Sequence, residues 1–372
     1  MSIDIADSIV VNFNCFALYV SRENIKTQGR VKEEKKKALF ITDITNIRYL
    51  TGFTGSHAYL LVSGREDVLF TDFRYKEQSA REVSVCRCEI ISKDIAVVLG
   101  KYANSLGIRA LSVQDTITYR QYKALSKHIE LTTLPETVEG LRAIKDASEI
   151  ELIKQAIQRA EDALAAIKGY IKAGVTERAI SLRLEDALRK GGVDKLPFYP
   201  IVASGRNSAL PHIKPTEKKL EKGDLVVIDW GGESGGYFSD MTRTFLVKGT
   251  DVEKKKEIYD VVLRANTSAI EGARAGLTGT ETDAIARKVI KDAGFGQYFG
   301  HGTGHGVGLE VHERPRISLK SPKTVITDGM VFTVEPAIYI PDLGGVRIED
   351  MVVVSDARAQ RITTLPRDLE IV

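Results

Sequence analysis

The spacing of apolar residues alternates along this chain between the short β-branched runs of strands and the three-and-four spacing of helices. Ala38 to Ile47 (ALFITDITNI) and Tyr59 to Thr71 (YLLVSGREDVLFT) read as strands bounded by Gly, Ser and Thr. The second run reads as a hairpin turning at Ser63-Gly64-Arg65-Glu66. Helical patterns over Glu77–Glu82 and Ile95–Gly107 lie between further strands. Leu134-Pro135 then punctuates the chain and closes a small α/β domain, residues 1–134.

Residues 135–372 follow a different plan. Asp146, with Glu149 three residues on, has the form of a capping box, and Ile150, Ile153, Ile157, Ala160, Leu164 and Ile167 follow at helical spacing. Thr176 caps a second predicted helix that stops at Gly191-Gly192. Two strand-like runs come next, Leu225–Trp230 and Phe238–Val247. The same order then repeats: helices over Val252–Ala275 and Glu281–Ala293, strands over Met330–Ile340 and Val346–Val354. Helix, helix, strand, strand occurring twice predicts a duplicated unit about a pseudo-twofold axis. The pattern carries this reading, because the two halves share little residue identity.

Composition narrows the function without choosing it. A length of 372 residues favours two domains, and a formal net charge of +3 spread over both signs gives no basic stripe for a nucleic acid. The mixed run Lys32 to Lys37 (KEEKKK) reads as a solvated helix face. Three cysteines, Cys15, Cys86 and Cys88, are too few and too odd for a disulfide framework, and no further pair completes a zinc site. No apolar run reaches the ~20 residues of a membrane span, and Asp4 and Asp7 stand where a signal peptide would be basic. A cytoplasmic enzyme or binding protein is the resulting expectation.

Chemistry enters with the acidic residues of the last four strands. Strand interiors normally exclude carboxylates, yet each of these runs carries one: Asp229 ends LVVID, Asp240 opens DMTRTFLV, Glu335 lies in VFTVEPAIYI and Glu349 in GVRIEDMVVV. Any one of them alone would pass as a strand-end residue. Four together require cations, because desolvating several carboxylates costs several kcal/mol each when nothing offsets the charge. Each pair is joined by a turn, GGESGGYFS or PDLGG, so hairpin pairing would bring both members to one place. His301, His305 and His312 fall within HGTGHGVGLEVHE, where alternating glycines permit close backbone approach and make a regular helix unfavourable. Four carboxylates and an imidazole suit two divalent ions of the manganese, iron(II) or cobalt type better than a thiolate zinc centre.

These residues resemble the pita-bread metallopeptidases, and most closely their aminopeptidase P and prolidase branch. The resemblance is carried by Asp229 with Gly231, DMTRTF from Asp240, HGTGHGVGLEVHERP from His301, VEPAIY from Val334 and GVRIEDMV from Gly345. NIRYLTGFTGS (Asn46–Ser56) and TDFRY (Thr71–Tyr75) resemble the creatinase-like N-terminal domain of the same branch. Met1 to Arg30 depart from it, since IVVNFNCFALYV lacks the amphipathic helix that usually opens the family's first domain.

The resemblance implies a creatinase-like domain followed by a pita-bread catalytic domain. It implies that Asp229 holds one metal ion, that Asp240 and Glu349 bridge two, and that His305 and Glu335 complete the second. Manganese is the first expectation, with cobalt, iron(II) or zinc as substitutes. Glu335 would also handle the proton of the attacking water, and His212 (in ALPHIKP) and His312 would be catalytic without binding metal. His301, Arg316 and Arg347 would serve substrate binding or support the ligands, and Arg316 would meet the free carboxylate of a dipeptide. The implied reaction is hydrolysis of an Xaa-Pro bond at a peptide N-terminus, by a homodimer. A strict Xaa-Pro dipeptidase is the alternative, and a non-catalytic scaffold a more distant one. A methionine aminopeptidase would lack the N-terminal domain and ALPH segment, and a creatinase-type hydrolase would lack the ligands. His57 and His128 read as ordinary residues of the first domain.

Overall fold

The computed structural model describes residues 38–63, 65–134 and 137–372. The readings of KEEKKK, Cys15, Asp4, Asp7 and the first thirty residues, and the Gly64 and Pro135 turns, lie outside them. The chain divides into two compact units between Leu141 and Arg142.

The first unit is built on a six-stranded mixed sheet. Its strands are β1 (Ala38–Ile41), β2 (Tyr59–Ser63), β3 (Val68–Thr71), β4 (Arg87–Ile90), β5 (Ala110–Gln114) and β6 (Glu130–Leu134), in the order β4-β3-β2-β1-β5-β6. Apolar residues alternate between its faces. Phe40, Leu61 and Phe70 pack with Leu99 and Ala103 on one side, and Leu39, Ile41, Leu60 and Leu69 pack with Ile47 and Leu50 on the other. The predicted long strand from Ala38 to Ile47 is corrected here. It ends at Ile41, and Ile44–Thr51 forms helix α1. Asp43 ends the strand by accepting a bond from the Asn46 amide at 2.9 Å, and Gly52, at φ 77°, closes the helix in the left-handed conformation. Among the described residues, the other α-helices of this unit are α2 (Lys76–Glu82), α3 (Ile95–Ser105) and α4 (Tyr119–Leu125), with α5 (Thr137–Arg142) at the boundary.

The second unit repeats helix-helix-strand-strand as the pattern predicts. Its helices are α6 (Ala147–Ile167), α7 (Glu177–Lys190), α8 (Glu253–Gly272) and α9 (Gly279–Asp292). The α6 start is a true capping box: Asp146 accepts from the amides of Ser148 and Glu149 at 2.8 and 2.9 Å, and Glu149 accepts from the Asp146 amide at 2.8 Å.

Strands of the first repeat are β7 (Ile201–Ser204), β8 (Leu225–Trp230), β9 (Glu233–Ser234), β10 (Tyr237–Phe238) and β11 (Met241–Leu246). Those of the second are β12 (Gly304–Gly306), β13 (Glu313–Ile317), β14 (Val331–Val334), β15 (Ala337–Ile340), β16 (Gly344–Arg347), β17 (Asp350–Ser355) and β18 (Arg358–Arg361). A last strand, β19 (Glu370–Ile371), returns to pair with β11, giving sheets ordered β19-β11-β8-β7 and β13-β12-β14-β17-β18.

Both predicted late strands are in fact interrupted. Val331–Ile340 breaks at Glu335-Pro336, because Pro336 has no N–H to continue the ladder and the Glu335 amide donates instead to the Thr303 carbonyl at 2.7 Å. Gly344–Ser355 breaks at Ile348-Glu349, where the Glu349 amide turns to the Thr242 carbonyl at 3.1 Å. Up to the breaks β14 pairs with β17, and beyond them β15 pairs with β16. The Phe238–Val247 run is likewise divided, so that Asp240 immediately precedes β11. Three of the four carboxylates thus sit where the chain leaves a ladder.

The cap of α6 gives a stability prediction. Replacing Asp146 with Ala should cost about 1 kcal/mol, within a range of about 0.5–2, and lower the urea midpoint of the second unit. An unchanged midpoint would mean that helix packing alone fixes this terminus.

Candidate metal centre

Two hairpins meet edge to edge to form the site. In the first, Thr242 pairs with Asp229, so Asp240, two residues earlier, lies diagonally across from Asp229 on the same face. In the second, Val334 pairs with Asp350 and Ala337 with Arg347, which leaves Glu335 and Glu349 facing one another in the gap. A single bridge between Thr242 and Glu349 joins the hairpins. The Thr242 hydroxyl also donates to the Glu349 carboxylate at 2.7 Å.

Arg243 secures this seam from the opposite face. Its Nη1 donates to the carbonyls of Thr242 and Glu349 at 2.9 and 2.7 Å. Its Nη2 donates to Asp350 Oδ1 and the Leu365 carbonyl at 2.8 and 3.0 Å, and its Nε to the Pro366 carbonyl at 2.9 Å. All five N–H groups of a buried guanidinium are thereby used.

His305 comes from the glycine-rich segment, which forms β12 between β13 and β14. The flanking glycines are required by contact. A Cβ on Gly304 would lie 1.8 Å from the Thr333 carbonyl oxygen, and one on Gly306 would lie 1.9 Å from that of Arg314. Helix α9 holds the start of the segment. Fully buried Asp283 accepts from the Thr303 amide at 2.9 Å and pairs with Arg287, whose Nη2 donates to the His301 carbonyl at 2.7 Å. His305 Nδ1 lies 3.1 Å from the Gly306 carbonyl. A carbonyl only accepts, so Nδ1 carries the proton and Nε2 presents a lone pair. That lone pair faces Asp240 at 3.6 Å and Glu335 at 3.5 Å.

Asp240, His305 and His312 can converge on one point, as can His305, Glu335 and Glu349, and Asp229, Asp240 and Glu349; within each set the donor atoms lie within 4.8 Å of one another. Asp240, Glu349 and His305 each belong to two sets. Burial, followed by mutual repulsion, holds Asp240 and Glu349 well above the usual carboxylate range. Burial raises Glu335 too, against the pull of His301 and Arg347. Asp229 Oδ1 is buried with no hydrogen-bond partner. Repelling carboxylates, an orphaned carboxylate oxygen and an inward imidazole lone pair form a donor set that fits divalent cations.

The remaining predicted residues surround this cluster. Arg347, 4% exposed, donates to Asp229 Oδ2 at 2.6 Å, to the Thr242 hydroxyl at 2.9 Å and to the Tyr339 hydroxyl at 2.7 Å. His301 Nδ1 lies 2.8 Å from the Gly302 carbonyl and Nε2 lies 3.2 Å from the Tyr339 hydroxyl. Tyr339 therefore accepts from Arg347 and donates to His301, and burial pushes its hydroxyl up to about 12. His312 is exposed by surface area, yet its ring stands 4.3 Å from that of His305. Burial of that ring edge, reinforced by His305, pushes His312 down to about 4, so it is neutral at pH 7. His212 lies on an exposed loop within electrostatic reach of His301, His312 and Glu335. Arg316 is exposed on β13, in register with His305 and within electrostatic reach of His312.

Sequence reading missed Tyr339, Thr242 and the acid network behind His312. Tyr339 stands four residues after Glu335, an even spacing that could have flagged it. Nothing local distinguishes Glu313, which accepts from Arg142 and Lys145 at 2.6 Å each.

Residues 151–356 match metallopeptidase family M24, and residues 25–144 match the creatinase/prolidase N-terminal domain. An Xaa-Pro dipeptidase of Pyrococcus furiosus is 40% identical over 335 residues, covering 89% of this chain and 94% of that protein. Among solved structures, an Xaa-Pro dipeptidase from Bacillus anthracis superposes with a TM-score of 0.90 at 40% identity, covering 97% of this chain and all of that one (100%). An X-Pro aminopeptidase from Thermotoga maritima superposes with a TM-score of 0.83 at 37% identity, covering 90% and 97%.

The crowding of acids gives a prediction of opposite signs. Asp240→Asn removes one repelling charge, so the metal-free protein should gain thermal stability, by about 2–4 °C for each kcal/mol relieved. The same variant should lose the further stabilisation that added Mn2+ gives the wild type. A metal-free midpoint at or below wild type, with the Mn2+ effect intact, would contradict this account.

Proposed function

This chain belongs to metallopeptidase family M24, in its aminopeptidase P and prolidase branch, and we propose that it hydrolyses the peptide bond preceding a proline at the second position of a peptide. The observation that carries the proposal is that Asp229, Asp240 and Glu349 form one donor set, which shares Glu349 with a second set made of His305, Glu335 and Glu349. Asp229 would hold one ion, Asp240 and Glu349 would be shared, and His305 and Glu335 would complete the other. The oxygen-rich set favours manganese, with cobalt, iron(II) or zinc as substitutes. When bound, such ions supply charge neutralisation and activation of water at neutral pH.

The chain's own groups perform the rest. Glu335 takes the proton of the attacking water on a carboxylate oxygen and returns it to the leaving prolyl nitrogen. His312, neutral at pH 7, and the nearby His212 donate to the scissile carbonyl oxygen as negative charge develops on it. Arg347 and Thr242 fix the carboxylates of Asp229 and Glu349, so neither reorients during the reaction. His301, its tautomer set by Gly302 and Tyr339, borders the position of the substrate. The family resemblance supports a homodimer. The sparse cysteines support a reducing, cytoplasmic setting.

One observation favours a strict dipeptidase as the second reading. Glu313, the acid closest in sequence to Arg316, is taken by Arg142 and Lys145. The exposed Arg316 guanidinium is left without that acid and is free to meet the carboxylate of an Xaa-Pro dipeptide.

Two experiments test these roles. His312→Ala should lower kcat about 100- to 1000-fold and leave metal content unchanged; loss of metal would make His312 a ligand, as its place beside Asp240 and His305 allows. If Arg316 reads the substrate's carboxylate, wild type should prefer Xaa-Pro to Xaa-Pro-Yaa by about ten- to a hundredfold, the worth of one charged hydrogen bond. Arg316→Ala should abolish the preference and Arg316→Lys restore part of it. Equal losses on both substrates would leave the aminopeptidase reading.

A further inference from the structure

We propose that Asn266 is a positioning residue that sets the separation of Glu335 and Glu349 from behind the sheet. The proposal rests on the two-ion reading above. Asn266 lies on the inner face of α8, fully buried among Val262, Ala265, Ala269 and Ile270. A polar amide in that core costs stability unless its hydrogen bonds are made.

Asn266 makes them to the point where the sheet divides. Its Nδ2 donates to the Val334 carbonyl at 2.9 Å and to the Ile348 carbonyl at 3.2 Å. Val334 precedes Glu335 and Ile348 precedes Glu349. Val334, paired with Asp350, ends the β14–β17 ladder, and Ile348 lies between that pair and Arg347, where the β15–β16 ladder begins. One amide group therefore spans the gap and ties both backbones at the step before each carboxylate.

The amide's orientation is fixed by its partners. Two carbonyls require a donor, and Arg367 Nη1 supplies a donor to Asn266 Oδ1 at 2.9 Å. Arg367 Nη1 also lies 3.2 Å from the Thr267 hydroxyl, which anchors the guanidinium to the same helix. A flipped amide would set Oδ1 against two carbonyl oxygens and Nδ2 against a cation. Asn266 thus joins α8 to the ligand-bearing gap with one allowed geometry. Its effect on the ions would pass through the spacing of Glu335 and Glu349, without contact to metal or substrate.

Calorimetric titration of metal-free protein with Mn2+ alone tests this. Asn266→Ala should weaken Mn2+ binding about 10- to 100-fold, the usual effect of losing a group that orients metal ligands. Ile270→Ala, a cavity on the same helix with no bond to the gap, should lower the melting temperature and leave Mn2+ affinity unchanged. Arg367→Ala, which keeps the amide and its two carbonyl bonds but removes the donor that anchors its oxygen, should weaken binding in the same direction by less. If Asn266→Ala does not fold, Arg367→Ala decides, and wild-type affinity there overturns the proposal. Wild-type affinity in folded Asn266→Ala overturns it, as does an equal loss in Ile270→Ala. A wild-type protein that takes up no Mn2+ overturns the two-ion reading and this proposal together.

Discussion

Repulsion among buried carboxylates is the constraint around which the second unit is organised. Asp240 and Glu349 are almost entirely out of water, and Asp229 and Glu335 lie against them. Left ionised and uncompensated, such a group would cost several kcal/mol per charge. Among the described residues, Arg347 is the buried cation that reaches these acids, and it is committed to Asp229. One positive charge does not balance four acids, and divalent cations would offset the remaining deficit.

The fold meets this constraint by breaking its own strands. A continuous β-strand fixes every side chain in a pleat, whereas Glu335 and Glu349 stand where one ladder gives way to another. The backbone groups released at the break are held elsewhere: the Glu335 amide on Thr303, the Glu349 amide on Thr242, the Val334 and Ile348 carbonyls on Asn266. Arg243 closes the same seam from behind with all five donors engaged. Hydrogen bonds of this kind contribute little net stability individually. Their value lies in preorganisation, since ligands already held in place need no rearrangement when an ion arrives.

Much of this is legible in the chain, for identifiable reasons. Capping residues act locally, so Asp146 with Glu149 and Thr176 announce their helices. Acids in apolar runs stand out against the strand pattern, which is why Asp229, Asp240, Glu335 and Glu349 group together on sequence alone. The strand breaks are not legible, because VFTVEPAIYI satisfies strand propensity on both sides of its proline. The Ala38–Ile47 run misleads for a related reason: Asp43 is a poor strand residue and also a good cap, and only the chain's return at Gly52 decides between them. Asn266, Arg243 and Tyr339 act through partners 68 to 123 residues away or through a paired strand. No local pattern encodes such partners. The roles of individual site residues rest on placement and chemistry together: the five proposed ligands converge, His301 and Arg347 adjoin them through Tyr339, and Arg316 lies on β13 opposite His305 and within electrostatic reach of His312.

The most direct test of the central claim is anomalous scattering from crystals of the protein soaked in Mn2+. The account predicts two peaks about 3.5–4 Å apart, both within reach of Asp240 and Glu349, with Asp229 beside one and His305 and Glu335 beside the other. A single peak, or a second peak held by His312 in place of Glu335, would contradict it.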